Sequence, residues 1–447
     1  MTSKERIDFA LSISTDTKLF EMGSGAYLKA PDVFRRFFPG KKALVVADVH
    51  TWPALGQKVY DLLVSEGVPT LKYIIMEEEF HAEWKYVEMV DAQLDANPEA
   101  VLVSVGSGVI NDLCKLSSHH HEQSYLTLPT AASVDGYSSF GASITFEGAK
   151  QTFSCPAPVA ILADIDVIAA APAHMTAAGY ADLAAKVPAG GEWMIADFVG
   201  KAPLHHDAWH VLQDYLDDFL SNPDAVAAGD PKAIADVFEG LTLSGIAMQA
   251  ARSSRPASCC DHLFSHILDM TEHRYKGKLQ SHGFQVAIGT LTMCAVFDQL
   301  FKLDLSKLDV DACVAAWPTL EQEQARALEL FKDFPAPRLG YDEITKKYDG
   351  ADVVREQLTK LKAEWPELKA RLQGQVYSFD KMQDLMRRAG APADPSEIGL
   401  SRERLQQMFP LVQLMRFRFN LLDLGKRGGF YDAIVNPLFE KGGAFEL

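Results

Sequence analysis

Val101-Leu102-Val103-Ser104-Val105, followed at once by Gly106-Ser107-Gly108 and the run Val109–Leu116, is the stretch on which the fold turns. The first five residues read as a buried strand, and the run after the glycines is compatible with a helix. Glycines at a strand-to-helix turn let the backbone approach a phosphate. The helix N-terminus then adds N–H donors and the positive end of its dipole. The same residues also suit a tight turn alone. The full G-x-G-x-x-G spacing is absent, because position 111 is Asn.

Upstream, Ala43–Ala47 and Thr70–Met76 read as strands, and Ala54–Glu66 and Ala82–Ala96 as helices. The second helix carries Trp84, Val87, Val90 and Leu94 at helical spacing. Downstream, Tyr125–Leu128 is a fourth strand, Ser143–Thr145 suggests a hairpin excursion, and Val159–Leu162 is a further strand. Short apolar strands alternating with amphipathic helices predict βαβ units and a parallel sheet. After about Asp166 strand patterns nearly vanish. Ala233–Ala251, His282–Leu300, Val354–Leu372 and Arg402–Leu422 read as helices. The expected organisation is an α/β domain over residues 1–168 and an all-helical domain over 169–447.

The chain has 447 residues, 48% of them hydrophobic and 23% charged, a globular balance too long for one small domain. Its formal charge of −17 repels phosphate backbones and argues against nucleic acid as a partner. An anionic ligand would need a local positive field. The first residues carry Lys4, Glu5, Arg6 and Asp8 and no apolar core, so no signal peptide is expected. No run of 18 apolar residues occurs, so no membrane span is expected. Six cysteines without a C-x-x-C pair suggest reduced thiols in a cytoplasmic protein.

Three further features could carry chemistry. Asp48 ends the strand Ala43–Ala47, where a carboxylate can accept bonds from an adenosine ribose and favour NAD over NADP. A helix-capping role fits it equally. The polar run Leu128–Ser139 follows a strand, the end at which α/β sheets bind ligands. The third feature concerns metal. Asp182, His262 and His282 offer one carboxylate and two imidazoles, a set that leaves coordination positions open for substrate. Competing sets are His262 with His266, His206 with His210, and His119–His121; a solvated face accounts for the last two. Cys259 and Cys260 could bind a soft metal, but neighbours on a helix point apart, and buried structural cysteines are the simpler reading.

Val105–Asp112 (VGSGVIND) and Leu128–Tyr137 (LPTAASVDGY) together resemble the sn-glycerol-1-phosphate dehydrogenases, of the iron-containing alcohol dehydrogenase, glycerol dehydrogenase and dehydroquinate synthase-like superfamily. Ser254–His262, Ser281–Gly283 and Arg416–Leu424 (RFRFNLLDL) strengthen the resemblance, which spans most of the chain. It implies a dinucleotide, NAD or NADP, on the N-terminal domain and one divalent ion, Zn, Ni or Fe, held with substrate by the helical domain. Asp182, His262 and His282 stand at the metal-ligand positions. Gly106, Ser107 and Gly108 match the pyrophosphate loop, with Asp112 in the same motif. Asp48 matches the ribose acid. Thr127, Thr130 and Ser133, with Ser138 beyond, match the cofactor-facing residues. Asp135 matches a carboxylate beside substrate and nicotinamide.

The chain departs from its resemblance at Cys259-Cys260-Asp261, where close relatives often have Gly-Ala-Glu, and at Val109 in place of Thr; Lys186 stands where long-chain iron alcohol dehydrogenases usually place a fourth ligand, His, a difference that favours the glycerol-phosphate branch. The implied activity is metal-dependent, reversible NAD(P)H-linked reduction of dihydroxyacetone phosphate, a small phosphorylated triose, in a homodimer or larger homo-oligomer. His266 is a candidate proton shuttle. Lys150, Arg252 and Arg255 are candidates for the substrate phosphate. The alternatives are a glycerol or other polyol dehydrogenase, a dehydroquinate synthase-like lyase that recycles NAD, and a nucleotide-binding protein without catalysis.

Overall fold

The computed structural model describes residues 1–147 and 149–447, with side chains at all of these except 149 and 150. Lys150, a candidate for the substrate phosphate, therefore has its side chain outside the described residues. By contacts the chain divides into two compact units. One comprises Met1–Leu183, His206–Pro256 and Arg388–Gly390; the other comprises Ala184–His205, Ala257–Arg387 and Ala391–Leu447. The division expected at residue 168 marks where strands give way to helices. The units instead interleave along the chain.

The first unit holds β1 (Leu19–Gly23), β2 (Lys42–Asp48), β3 (Thr70–Ile75), β4 (Ala100–Gly106), β5 (Leu126–Pro129) and β8 (Ala160–Asp164) in one parallel sheet of order β1-β8-β5-β4-β2-β3. β6 (Ala142–Phe146) and β7 (Ala149–Phe153) form the separate antiparallel hairpin expected near Ser143. β1 was not legible: it is a short edge strand with Glu21 inside it, paired only with β8.

Alternation explains the apolar strands. Ala43 and Val45 of β2 face a core with Phe34, Leu55, Val59 and Leu63, while Leu44 and Val46 face another with Val87, Val90, Ile110 and Leu113. A parallel sheet covered on both faces needs apolar residues at every position. The helices supplying those cores are α1 (Ala30–Phe37), α2 (Gln57–Ser65), α3 (Trp84–Asp95) and α4 (Gly108–His120). β2 is flanked by β3 and β4, so the chain reverses direction across the sheet there. The carboxyl ends at such a reversal are where open α/β sheets bind ligands. Asp48 and Gly106 are the last residues of those two strands.

The same unit also contains α5 (Ala173–Ala184) up to Leu183, and later α7 (Pro231–Ala251); between them in sequence α6 (Lys186–Phe198) belongs to the second unit. That second unit is mostly helical, with α8 (Cys260–Met270), α9 (His282–Leu300), α10 (Arg402–Leu414) and α11 (Leu421–Arg427). Its strands are two-residue pieces, Arg274–Tyr275 and Lys278–Leu279, between α8 and α9. The single helix expected over Arg402–Leu422 is two. Asn420 and Asp423 form a reciprocal capping box that starts α11 afresh. Among the described residues no helix is long and apolar enough to cross a membrane.

Candidate functional site

The glycine turn at the carboxyl end of β4 is closely packed. A Cβ on Gly106 would lie 2.6 Å from the Ile110 side chain, and one on Gly108 would lie 2.8 Å from Val134 Cγ2. Ser107 opens α4 in extended conformation, and its side chain does not cap the helix. The Gly108 amide of that first turn meets the Tyr137 hydroxyl, and the N-terminus of a helix is the kind of place that receives an anion. Thr130 N–H donates to the Gly106 carbonyl at 3.1 Å, joining the two motif loops.

Asp48, buried, uses Oδ1 to accept from the amides of His50 at 2.8 Å and Thr51 at 2.7 Å. These two bonds fix the carboxylate in the turn, and Oδ2 makes no hydrogen bond among the described residues. Thr127 sits in mid-sheet opposite Ser104, and the buried hydroxyls of both lack a partner. A buried hydroxyl left unmatched is costly unless a ligand or water meets it. The glycine turn at the carboxyl end of the sheet has the chemistry to receive the pyrophosphate of a dinucleotide.

Other motif residues have partners within the protein. Ser133 Oγ lies 3.4 Å from the Tyr137 hydroxyl. Ser138 Oγ donates to the Thr242 carbonyl on α7 at 2.7 Å. Asp112 Oδ2 accepts from Ser143 N–H at 3.2 Å. Asp135 N–H donates to Asp182 Oδ2 at 2.9 Å, and Asp135 Oδ2 accepts from Ser244 Oγ at 2.9 Å. Asp182 is wholly buried on α5. It is placed by Gly179 one turn earlier, where a Cβ would stand 2.0 Å from the Ala132 carbonyl oxygen. Only glycine lets α5 come so near that loop. Burial pushes the Tyr137 hydroxyl pKa up, so it stays a neutral donor to the Ala131 carbonyl at 2.9 Å.

In the helical unit the rings of His262 and His282 stand 5.3 Å apart, centre to centre. His262 is on the first turn of α8, and His282 opens α9. Gly289 allows this: a Cβ there would lie 2.0 Å from the Asp261 carbonyl oxygen, so α9 and α8 touch backbone to side-chain-free backbone.

Hydrogen bonds fix both tautomers. His262 Nδ1 contacts the buried Asp261 carboxylate, which only accepts, so Nδ1 carries the proton. His282 Nδ1 lies 3.1 Å from Ser265 Oγ, whose own proton goes to Gln285 Oε1 at 2.7 Å. Nδ1 of His282 is therefore the donor as well. Each ring is thus held through Nδ1, the way metal-ligating histidines are oriented by an outer partner. Asp261 and Ser265, which hold the two candidate imidazoles, were not singled out from the sequence as candidates. A carboxylate beside a candidate ligand was the available signal for Asp261; Ser265 had none, because it meets His282 only through packing.

His266, one turn after His262 on α8, is half-buried. His210 pairs with Asp214 at 2.5 Å, and His120 and His121 pair with Asp91 and Asp95, at the surface positions expected of them. Cys259 and Cys260 do not point apart. Cys259 precedes the helix with φ −145° and ψ −129°, so both thiols converge with the Glu192 carboxylate, with donor atoms within 4.8 Å. Glu192 is already occupied: its oxygens accept from Cys260 N–H and Leu421 N–H, each at 2.9 Å. One buried carboxylate thus closes the N-termini of α8 and α11. Burial, reinforced by the Asp261 charge, pushes the Glu192 pKa up, and burial pushes the Cys260 thiol far up.

Residues 21–172 match the family model of iron-containing alcohol dehydrogenases. The chain is 30% identical to a glycerol-1-phosphate dehydrogenase [NAD(P)+] of Geobacillus thermodenitrificans, over 68% of this chain and 76% of the relative. It is 31% identical to that of Pyrococcus furiosus, over 61% of this chain and 76% of the relative. Among solved structures, glycerol dehydrogenase from Schizosaccharomyces pombe matches with TM-score 0.60 and 17% identity, covering 95% of this chain and 90% of that one. The structural likeness shows the fold, and the sequence likeness shows the kinship: the chain belongs to the glycerol-1-phosphate dehydrogenase family, among the iron-containing alcohol dehydrogenases.

Proposed function

We propose that the protein catalyses the reversible, NAD(P)H-dependent and metal-dependent reduction of dihydroxyacetone phosphate to sn-glycerol 1-phosphate. The observation that carries this reading, beside the named relatives, is the pair of neighbouring imidazoles, each held through Nδ1, His262 by Asp261 and His282 by Ser265. Asp182 completes the ligand set with His262 and His282; the three have the donor chemistry to hold a metal ion. Two imidazoles and one carboxylate suit Zn, Ni or Fe. When bound, such an ion acts as a Lewis acid toward a carbonyl oxygen, and NAD(P)H provides the hydride.

The chain's own residues do the rest. Gly106, Ser107 and Gly108 receive the pyrophosphate on backbone N–H groups. Asp48 takes the ribose hydroxyls, and Thr127, Thr130 and Ser133 line the cofactor. Asp135 orients the substrate hydroxyl from a carboxylate held by Ser244. His266 relays the proton that the product alcohol needs. Arg252 and Arg255 serve the substrate phosphate. The working form is a homodimer or larger homo-oligomer.

The test compares dihydroxyacetone phosphate with dihydroxyacetone, following NADH and NADPH oxidation. Strong preference for the phosphate supports the reading. Equal rates point to a polyol dehydrogenase, and turnover of a phosphorylated sugar acid without net NADH oxidation points to a lyase.

A further inference from the structure

Lys115 is a lysine with no exposed side-chain surface, on the second turn of α4. Lysine is among the residues least often found fully buried. Its ammonium donates to three backbone carbonyls: Gly136 at 2.7 Å, Ser139 at 2.9 Å and Gly141 at 3.0 Å. All three protons are used, and all three acceptors lie within six residues of one loop. Asp112 on the same helix balances the charge at 3.6 Å. Asn111 adds a second bond to the Gly136 carbonyl at 3.2 Å and accepts from the Tyr125 hydroxyl at 3.0 Å. From the other side, Gln249 Nε2 donates to the Ser138 carbonyl at 2.5 Å.

The loop so held begins with Asp135. Its amide, adjacent to the doubly bonded Gly136, donates to Asp182 Oδ2. Placing an ammonium in the interior carries a desolvation cost that recurs only where the charge is matched and all its protons are used. Lys347, another buried lysine, serves the Asp423 carboxylate and the Gln413 carbonyl within its own unit. At Lys115 every acceptor belongs to the segment that presents Asp135 to Asp182.

We propose that Lys115 is a positioning residue for the reduction: it acts through the 135–141 backbone, fixing the Asp135 amide against Asp182 and so fixing the direction of that carboxylate. The inference rests on the proposed metal role of Asp182. It also locates a positive charge beneath the site of a protein whose overall charge is −17. The ammonium steadies a loop rather than touching substrate.

The test is Lys115→Met, with Lys115→Gln as a second variant, each compared with the wild-type protein. Three readouts are taken: kcat and KM, metal retention against a chelator, and amide hydrogen exchange of residues 133–141. Loss of an outer-shell partner typically lowers metal affinity or activity by 10–100-fold. Both kcat and metal affinity should therefore fall at least tenfold in folded Lys115→Met, with KM for NADH changing less than threefold, and the loop should lose protection. A purely structural role would lower the melting temperature and leave kcat and metal affinity of the folded protein within twofold; that result overturns the proposal. If neither variant folds, the wild type decides. The Asp135 and Gly141 amides must be protected, and exchange at free-peptide rates overturns the proposal. Wild-type protein inert toward dihydroxyacetone phosphate would sink the proposed function, whereas the chelator and exchange readouts would still judge Lys115.

Discussion

Asp261→Asn separates the orientation of His262 from its mere presence. The carboxylate is fully buried, takes the Cys259 amide on Oδ1 at 3.0 Å, and takes the His262 Nδ1 proton on Oδ2. Asparagine keeps the shape but has one acceptor and one donor group. With its oxygen toward the Cys259 amide, its NH2 faces Nδ1. The ring must then move its proton to Nε2, and the lone pair needed by a metal is lost. With the amide reversed, NH2 opposes the Cys259 N–H at the start of α8, costing about 1–3 kcal/mol for the unmatched buried donor. The first outcome should weaken metal binding by about 10–100-fold, or about 1.4–2.7 kcal/mol. Chelator competition with Zn, Ni and Fe(II) measures the affinity, and nitrogen NMR of the histidine rings reads the tautomer. Metal affinity within twofold of wild type, with the His262 proton still on Nδ1, would refute the reasoning.

Gly289→Ala places a methyl 2.0 Å from the Asp261 carbonyl oxygen, a backbone atom that cannot rotate away. Forced separation of α8 and α9 should cost several kcal/mol, in the range of severe overpacking (about 1–3 kcal/mol or more), and lower both melting temperature and metal retention. Asp48→Asn removes the charge that opposes a 2′-phosphate; the ratio of kcat/KM for NADPH over that for NADH should rise about tenfold. Five of the six cysteines are buried, and burial pushes Cys114 up to about 12. A thiol reagent on native protein should therefore titrate about one group, Cys313, and six after denaturation. Glu192 has a folded pKa raised mainly by burial, so its contribution to stability is greatest below about pH 4.5 and is lost as pH rises through the folded value. Glu192→Gln carries a fixed cost of one unmatched amide. Its deficit against wild type in denaturant titrations should shrink as pH rises from 4 to 7.

Most of the sheet was readable because its strands are buried on both faces and therefore nearly continuous apolar runs, as in Ala43–Ala47 of β2 and Val101–Val105 of β4. The same physics hid β1, an edge strand with a charged residue inside. The turn at Asn420 was also hidden: a capping box within an apolar run (FNLLDL) interrupts a helix without glycine or proline to mark it. At the site, histidines and aspartates could be named from residue type and from the family resemblance. What positions them could not be. Gly179 and Gly289 reveal their purpose only through the backbone they approach, and Lys115 in sequence is an ordinary helical lysine. Its three acceptors lie 21 to 26 residues away, across a strand and a loop. The convergence of Cys259 and Cys260 was read the wrong way because Cys259 lies before the helix, where helical spacing does not apply.

The most direct test of the proposed reaction strips the protein with chelator and reloads it separately with Zn, Ni and Fe. Each form is given dihydroxyacetone phosphate with NADH or NADPH, and the alcohol formed is resolved by its chirality. The expected result is no turnover without metal. With at least one ion, nicotinamide oxidation should match, mole for mole, the sn-glycerol 1-phosphate formed. Undiminished turnover in the stripped protein, no oxidation with any ion, or formation of the opposite enantiomer would contradict it.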